Sequence, residues 1–361
     1  MARKLKTDAW LFTATLLLLA VSAAWVYSAS ANAKDPEELL IKQGMWIAVG
    51  IVGMLVMMQW DYHLFLRPKA LPILVGLVVV GLVAVFFGRP IRGATRWISF
   101  GPLNLQPSEF AKLTVILFAA SSIGRKLEAN EPLPPAFARI GLLVALLAGL
   151  IYKEPDAGTA ATVAGISVAI VFAAGIPYRW VAVGALAAPL AVVLAVLDEG
   201  YRWERWVAFI YGTDPQGAGY QGIQSLIAVG TGGWWGRGFM EGVQKMGYLP
   251  FPHNDFIYAV IAEEKGLVGA TFVLACFAVI VWRGLRVAQT APDAFGSLVA
   301  VGITAMIGLQ ALFNISVVLS LVPNKGIPLP FVSAGGSSML VSLLAMGILL
   351  NISQQASAVE S

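Results

Sequence analysis

The stretch "PHNDFIYAVIAEEKG", from Pro252 to Gly266, heads a run that continues almost without charge to Trp282. It places His253, Asp255, Glu263, Glu264 and Lys265 where hydrocarbon would make each charge expensive, so each needs a task or a partner. Asp255 stands at the water boundary. An Asp just before a helix accepts a backbone N–H and suits the helix dipole. A carboxylate partly desolvated there also becomes a better general base. The two readings are compatible. On a continuous helix Glu263 and Glu264 fall about 12–13 Å beyond Asp255, Glu264 roughly opposite to it and Glu263 about a quarter-turn away, so neither forms a carboxylate pair with it. They are therefore expected to be structural, one of them paired with a base such as Lys112 or Lys265.

Other groups could join the chemistry. Glu109 and Lys112 are three apart just after Pro107, so on a helix they share a face and can pair. They either fix the fold or line an outward-facing cavity. In "EPDAGT" Asp156 is placed to cap a helix through Thr159, while Lys153 and Glu154 read as exposed loop charges. "KGIPLPFVSAGGSSM" has Pro328 and Pro330 against helix, Gly335 and Gly336 to free the backbone, and Ser337 or Ser338 to cap the last span. The Gly-x-x-x-x-Gly-Lys spacing of a P-loop is absent. Cys276 is the only cysteine, and His63 and His253 are the only histidines. That excludes an internal disulfide, a thiolate cluster and a His-based metal site.

The elements that must position these groups are membrane spans. Of the 361 residues 58% are hydrophobic and 12% charged, about half the charge of a soluble domain. The chain reads as one all-α polytopic membrane domain, 1–361, and no basic, aromatic-laced patch suggests nucleic acid. Apolar runs long enough to span fall near 10–30, 43–60, 70–88, 107–123, 136–152, 157–175, 179–197, 256–282, 296–321 and 337–352. Ten spans put both termini on one side, taken as cytoplasmic from Arg3, Lys4 and Lys6 and the other short-loop bases. A large extracytoplasmic loop, 198–255, then joins spans seven and eight. Its Gly- and Trp-rich half is expected to lie at the interface or fold back into the protein. A polar tail, 353–361, ends the chain. The outer loops carry Arg89, Arg92, Arg96, Arg202, Arg205 and Arg237 against the topology signal. Arginine pairs bidentately with phosphate, which points to an anionic substrate on that face.

Five stretches together resemble one family. "GATRWISFGPLNLQPSEFAK", "EPDAGT", "QSLIAVGTGGWWGRGF", "YLPFPHNDFIYAVIAEEKGLVG" and "GIPLPFVSAGGSS" recur in the order of the SEDS proteins of bacterial cell-wall synthesis. The resemblance implies a peptidoglycan glycosyltransferase of the inner membrane that polymerises lipid II at the outer face. It places the family's essential Asp at Asp255 and its Glu and Lys at Glu109 and Lys112. It further implies a class B penicillin-binding protein, a transpeptidase, as partner. Asn254 and Ala334 depart from the family's usual Thr and Tyr. "IPLPFVS", "AEE" and the short N-terminal tail resemble the RodA branch, and "VPNKG" and "QSLIAVG" the FtsW branch. The branch chosen is RodA, in cell elongation, with FtsW-type division as the alternative. Asp255 is the expected base, and it could also hold Mg²⁺ or Mn²⁺. Arg202, Arg205 and Lys153 are candidates for the pyrophosphate, with Glu109, Lys112, His253 and Ser337 as further substrate-binding or cavity-lining candidates. Two rival readings are a lipid II flippase and a scaffold that only holds a partner.

Overall fold

The computed structural model of the chain describes residues 7–32, 35–88, 95–100, 103–177, 200–211, 217 and 219–356. Eleven helices run through them: α1 Ala9–Ala29, α2 Pro36–Gln59, α3 Ala70–Val85, α4 Pro107–Glu128, α5 Pro134–Lys153, α6 Ala157–Ala173, α7 Gly200–Tyr211, α8 Tyr220–Gly232, α9 Ile257–Thr290, α10 Ala294–Val318 and α11 Gly336–Ala356. A short antiparallel hairpin, β1 Ile98–Phe100 and β2 Leu103–Leu105, pairs Ile98 with Leu105. Helices occupy nine of the ten expected intervals, and 179–197 lies outside the described residues. Six of the helices are long and apolar enough to cross a membrane, and α3 and α6 are shorter apolar ones.

Local signals start these helices. Pro36, Pro107 and Pro134 occupy first-turn positions, where a missing N–H removes nothing. Asp8 caps α1 through Trp10 N at 3.0 Å and Leu11 N at 3.2 Å. Asp156 caps α6 and Asp293 caps α10. Packing then sorts the helices. α10 lies against α4, α6 and α9, and α11 lies against α2. α11 is largely buried, whereas α2 and α3 turn Ile41, Val52, Ile73, Leu77 and Val80 outward. Such apolar faces suit contact with lipid tails.

The alternation of short loops gives the bundle two chemically different ends. At one end Arg283 bridges to Asp8 at 2.5 Å, Arg125 donates to Leu66 O, and Asn351 donates to Met58 O. At the other lie the hairpin, the α5–α6 turn and the segment between α10 and α11. Ile327, Leu329, Phe331 and Val332 bury that last segment. Ser22 of α1 donates to Val332 O at 2.9 Å and fixes it from behind.

α9 corrects the picture of one continuous helix. Gly266 sits at φ 63° and ψ −159°, a conformation open to glycine, and breaks it. The freed groups bond the chain just after α8. Arg237 N donates to Glu263 O and Gly238 N to Glu264 O, while Leu267 N and Val268 N donate to Gly233 O and Trp234 O. The Gly- and Trp-rich stretch thus folds back onto the protein. It also supplies the partners of the two glutamates, which are neither Lys112 nor Lys265. Lys245 reaches Glu264 at 2.6 Å in a buried cluster with Ser28. Glu263 accepts from Val243 N at 2.8 Å and Gln244 N at 3.1 Å. About 20 residues, the length that crosses a hydrocarbon layer, separate Arg283 from Glu263. With Arg283 at one membrane boundary, that length would put the acids near the other.

Candidate active site

Asp255 belongs to a turn, 251–256, between the folded-back loop and α9. It is not the helix cap expected of it. Phe256 takes that position, with no side-chain capping bond. The turn is held instead by α10 and the α10–α11 segment, whose donors take the carbonyls of His253, Asn254 and Asp255. The half-buried Asp255 faces a cavity of about 1840 Å³. Gly326 lies directly against it: a Cβ there would stand 2.9 Å from Asp255 Oδ2.

The cavity has a polar end and an apolar body. Arg96, Asp156, Arg205, Asn324 and Lys325 line it together with Asp255. Arg205 comes from α7 and donates Nη1 to Asn324 O at 3.1 Å, fixing its guanidinium beside Lys325. Arg96 donates Nε to Glu154 O at 2.9 Å and also bonds Pro155 O, so it ties the hairpin region to the α5–α6 turn. The Asp156 carboxylate accepts from Thr159 N, Thr159 Oγ1 and Gln106 Nε2. The body is walled by α6 from Ala157 to Phe172 and by Val301, Ala305 and Leu309 of α10.

Several expected members stand elsewhere. Glu109 and Lys112 form a buried pair at 2.7 Å, and Lys112 also donates to Gln310 Oε1 at 2.8 Å. Facing α10 rather than the cavity, they brace α4 against it. Lys153 is exposed at the end of α5 and off the cavity wall. His253 is half-buried and meets the α10–α11 segment through its carbonyl, which accepts from Ala334 N at 2.9 Å. Ser337 accepts from Gln106 N and donates to Asn104 O, joining the start of α11 to the hairpin. The side chain of Arg202 and the whole of Arg89 and Arg92 lie outside the described residues.

Glu154 is the clearest reversal. Read as an exposed loop charge, it is wholly buried, and neither carboxylate oxygen has a hydrogen-bond partner. Burial first, and then the charge of Asp156, push its pKa up to about 8, against the opposing pull of Arg96. Lys325 and Asp156 were missed as cavity residues. The signal available for Lys325 was a lone cation in a Pro- and Gly-rich turn facing the arginine-bearing loops. Among the described residues no group of three His, Cys, Asp or Glu could hold a metal ion.

The family model described as "Cell cycle protein", covering FtsW, RodA and SpoVE, matches residues 5–358. The chain belongs to this family. It is an integral membrane protein. Relatives sharpen the branch. It is 41% identical over 354 residues to the probable peptidoglycan glycosyltransferase FtsW of Trichlorobacter lovleyi, covering 96% of this chain and 93% of that one. It is 37% identical to the stage V sporulation protein E of Bacillus subtilis, covering 98% of each. Among solved structures it resembles a chain of a peptidoglycan synthase complex that coordinates polymerization and crosslinking. That likeness has a TM-score of 0.80, 27% identity, and covers 97% of this chain and 98% of that one. It also resembles the rod shape determining protein RodA of Thermus thermophilus, with TM-score 0.71, 26% identity and 96% of each covered. The RodA branch is therefore not supported, and the FtsW branch is: "VPNKG" and "QSLIAVG" were better guides than "IPLPFVS" and the short tail.

Proposed function

We propose that this peptidoglycan glycosyltransferase polymerises lipid II at the outer face of the inner membrane, in the FtsW manner of cell division. The observation that carries the reading is the cavity, with two carboxylates and three cations at one end and mostly small apolar side chains along the rest. A lipid-linked sugar pyrophosphate has the same division. Its polyprenyl chain suits the α6 and α10 walls, and its pyrophosphate suits Arg205 and Lys325. With Asp255 as base, its carboxylate takes the proton of the acceptor's 4-hydroxyl as that oxygen bonds the donor's anomeric carbon. The bond from that carbon to the pyrophosphate breaks, and the lipid pyrophosphate leaves with the electron pair. The two cations stabilise the charge that develops.

A hard divalent cation fits the same end without a protein cage. Mg²⁺ commonly binds through one or two carboxylates plus substrate phosphates. Asp255 is the carboxylate that would hold it, and the ion would supply further positive charge at the pyrophosphate. A class B penicillin-binding protein as partner is supported by the likeness to a chain from a complex that joins polymerization to crosslinking. Both termini are taken as cytoplasmic, with the Arg283–Asp8 end of the bundle facing inward.

The test is polymerisation of purified lipid II in detergent, where no flipping is needed. Wild-type protein should make glycan strands and Asp255→Asn should not. Native activity in Asp255→Asn removes the base assignment, and the absence of strands from folded wild type with its transpeptidase favours the flippase. Complementation separates the branches: the gene should rescue depletion of a division polymerase and not of an elongation polymerase.

A further inference from the structure

Three successive carbonyls of the Asp255 turn are held by three donors distant in sequence. Ala334 N takes His253 O at 2.9 Å, Ser333 Oγ takes Asn254 O at 2.6 Å, and Asn314 Nδ2 takes Asp255 O at 2.9 Å. Within the turn Asn254 N donates to Phe251 O at 3.0 Å, and these three donors tie the turn to the rest of the protein. Asn314 does more than close a bond. It is buried on α10, and the same amide nitrogen donates to Ile327 O at 2.8 Å. One NH₂ group thus joins the backbone of Asp255 to the segment that carries Lys325 and Gly326. Ser333 works in parallel, accepting from Leu329 N at 2.8 Å while it donates to Asn254 O.

We propose that Asn314 is a positioning residue that sets the spacing between the Asp255 carboxylate and the Lys325 side chain, with Ser333 as its second staple. The proposal rests on the reading of Asp255 as base and deepens it. Base and cation lie on different segments, 70 positions apart in the numbering, and this side chain bonds both. A displacement of about 1 Å at such a site lowers a rate on the order of a hundredfold, while leaving the more diffuse contacts to a long lipid substrate largely intact.

The test is steady-state polymerisation of lipid II by purified Asn314→Ala, Ser333→Ala and Ser333→Thr, with thermal melting of each protein in the same detergent. Asn314→Ala should lose about 10- to 100-fold in kcat with KM changed by no more than about twofold. Ser333→Ala should lose less, and Ser333→Thr, which keeps the hydroxyl, should recover most of it. Unchanged kcat in Asn314→Ala overturns the proposal. A fall in kcat matched by a rise in KM and an early melt overturns it too, because that is general loosening. If Asn314→Ala does not fold, the Ser333 pair decides, and equal activity of its Ala and Thr forms is the refuting result. Asp255→Asn, run in parallel, separates the two levels. Native activity there sinks the base reading, whereas an inactive Asp255→Asn beside a fully active Asn314→Ala sinks only the positioning role.

Discussion

Replacing Glu154 by Gln should stabilise the protein at neutral pH, and the gain should vary with pH in a defined way. The carboxyl is fully buried and its two oxygens have no hydrogen-bond partner. Its pKa rises from 4.5 to about 8, first through burial and then through Asp156. The sign comes from proton counting. Below about pH 4.5 the folded and unfolded states both hold the proton. Between 4.5 and about 8 only the folded state holds it, so stability falls as pH rises, and above 8 the loss is complete. Each pKa unit corresponds to about 1.4 kcal/mol, which puts the cost near 3 kcal/mol at pH 7 and about 5 kcal/mol above pH 8. Gln has the same shape and does not titrate. The quantity to measure is the difference in melting temperature between wild type and Glu154→Gln at pH 5, 7 and 8.5, monitored by intrinsic fluorescence of the 11 tryptophans. Other titrating groups cancel in that difference. It should be small at pH 5, favour the variant at pH 7 and grow again at 8.5. A difference that does not change with pH would falsify the burial argument.

Further substitutions probe the neighbouring contacts. Gly326→Ala puts a methyl 2.9 Å from Asp255 Oδ2 and should lower lipid II polymerisation by roughly a hundredfold without unfolding the protein, as tested by activity beside a melting curve. Lys112→Met strands the buried Glu109 and should destabilise by about 3–5 kcal/mol, while the double change Glu109→Gln with Lys112→Met should recover much of that in denaturation measurements. Lys245→Met should act similarly on Glu264 and raise hydrogen exchange near the break in α9; unchanged exchange there would count against the buried pair as the anchor of the loop.

The spans were legible because a membrane crossing demands about 20 apolar residues, and few other constraints write so long a signal. The cap at Asp156 was legible because capping is local: its acceptor and Thr159 are three positions apart. Long-range contacts were not. Asp255 sits before a helix and so reads as its cap, but its carbonyl is held by Asn314, 59 positions away, and that bond leaves no trace in the local pattern. One of Glu263 and Glu264 is expected to pair with a base, and Glu264 does pair with a buried lysine, but the named candidates Lys112 and Lys265 are not the partner. The break at Gly266 opened α9 to a returning loop, and the loop brought Lys245. Glu154 shows the same limit. Nothing adjacent in sequence distinguishes a solvated turn glutamate from one closed in by packing.

The staples on the Asp255 turn also change what the Asn254 departure means. The departure matters if the side chain before the aspartate orients it. Here the carbonyls on both sides of Asn254 and its own are fixed by Ala334, Ser333 and Asn314, so the backbone already constrains the direction in which Asp255 leaves the turn. A Thr-to-Asn difference is therefore a small perturbation beside the loss of any one staple. Asn254→Thr should leave kcat within about twofold of wild type in the polymerisation assay, where Asn314→Ala loses about tenfold or more. A large effect of Asn254→Thr would mean that the neighbouring side chain, and not the backbone, aims the carboxylate.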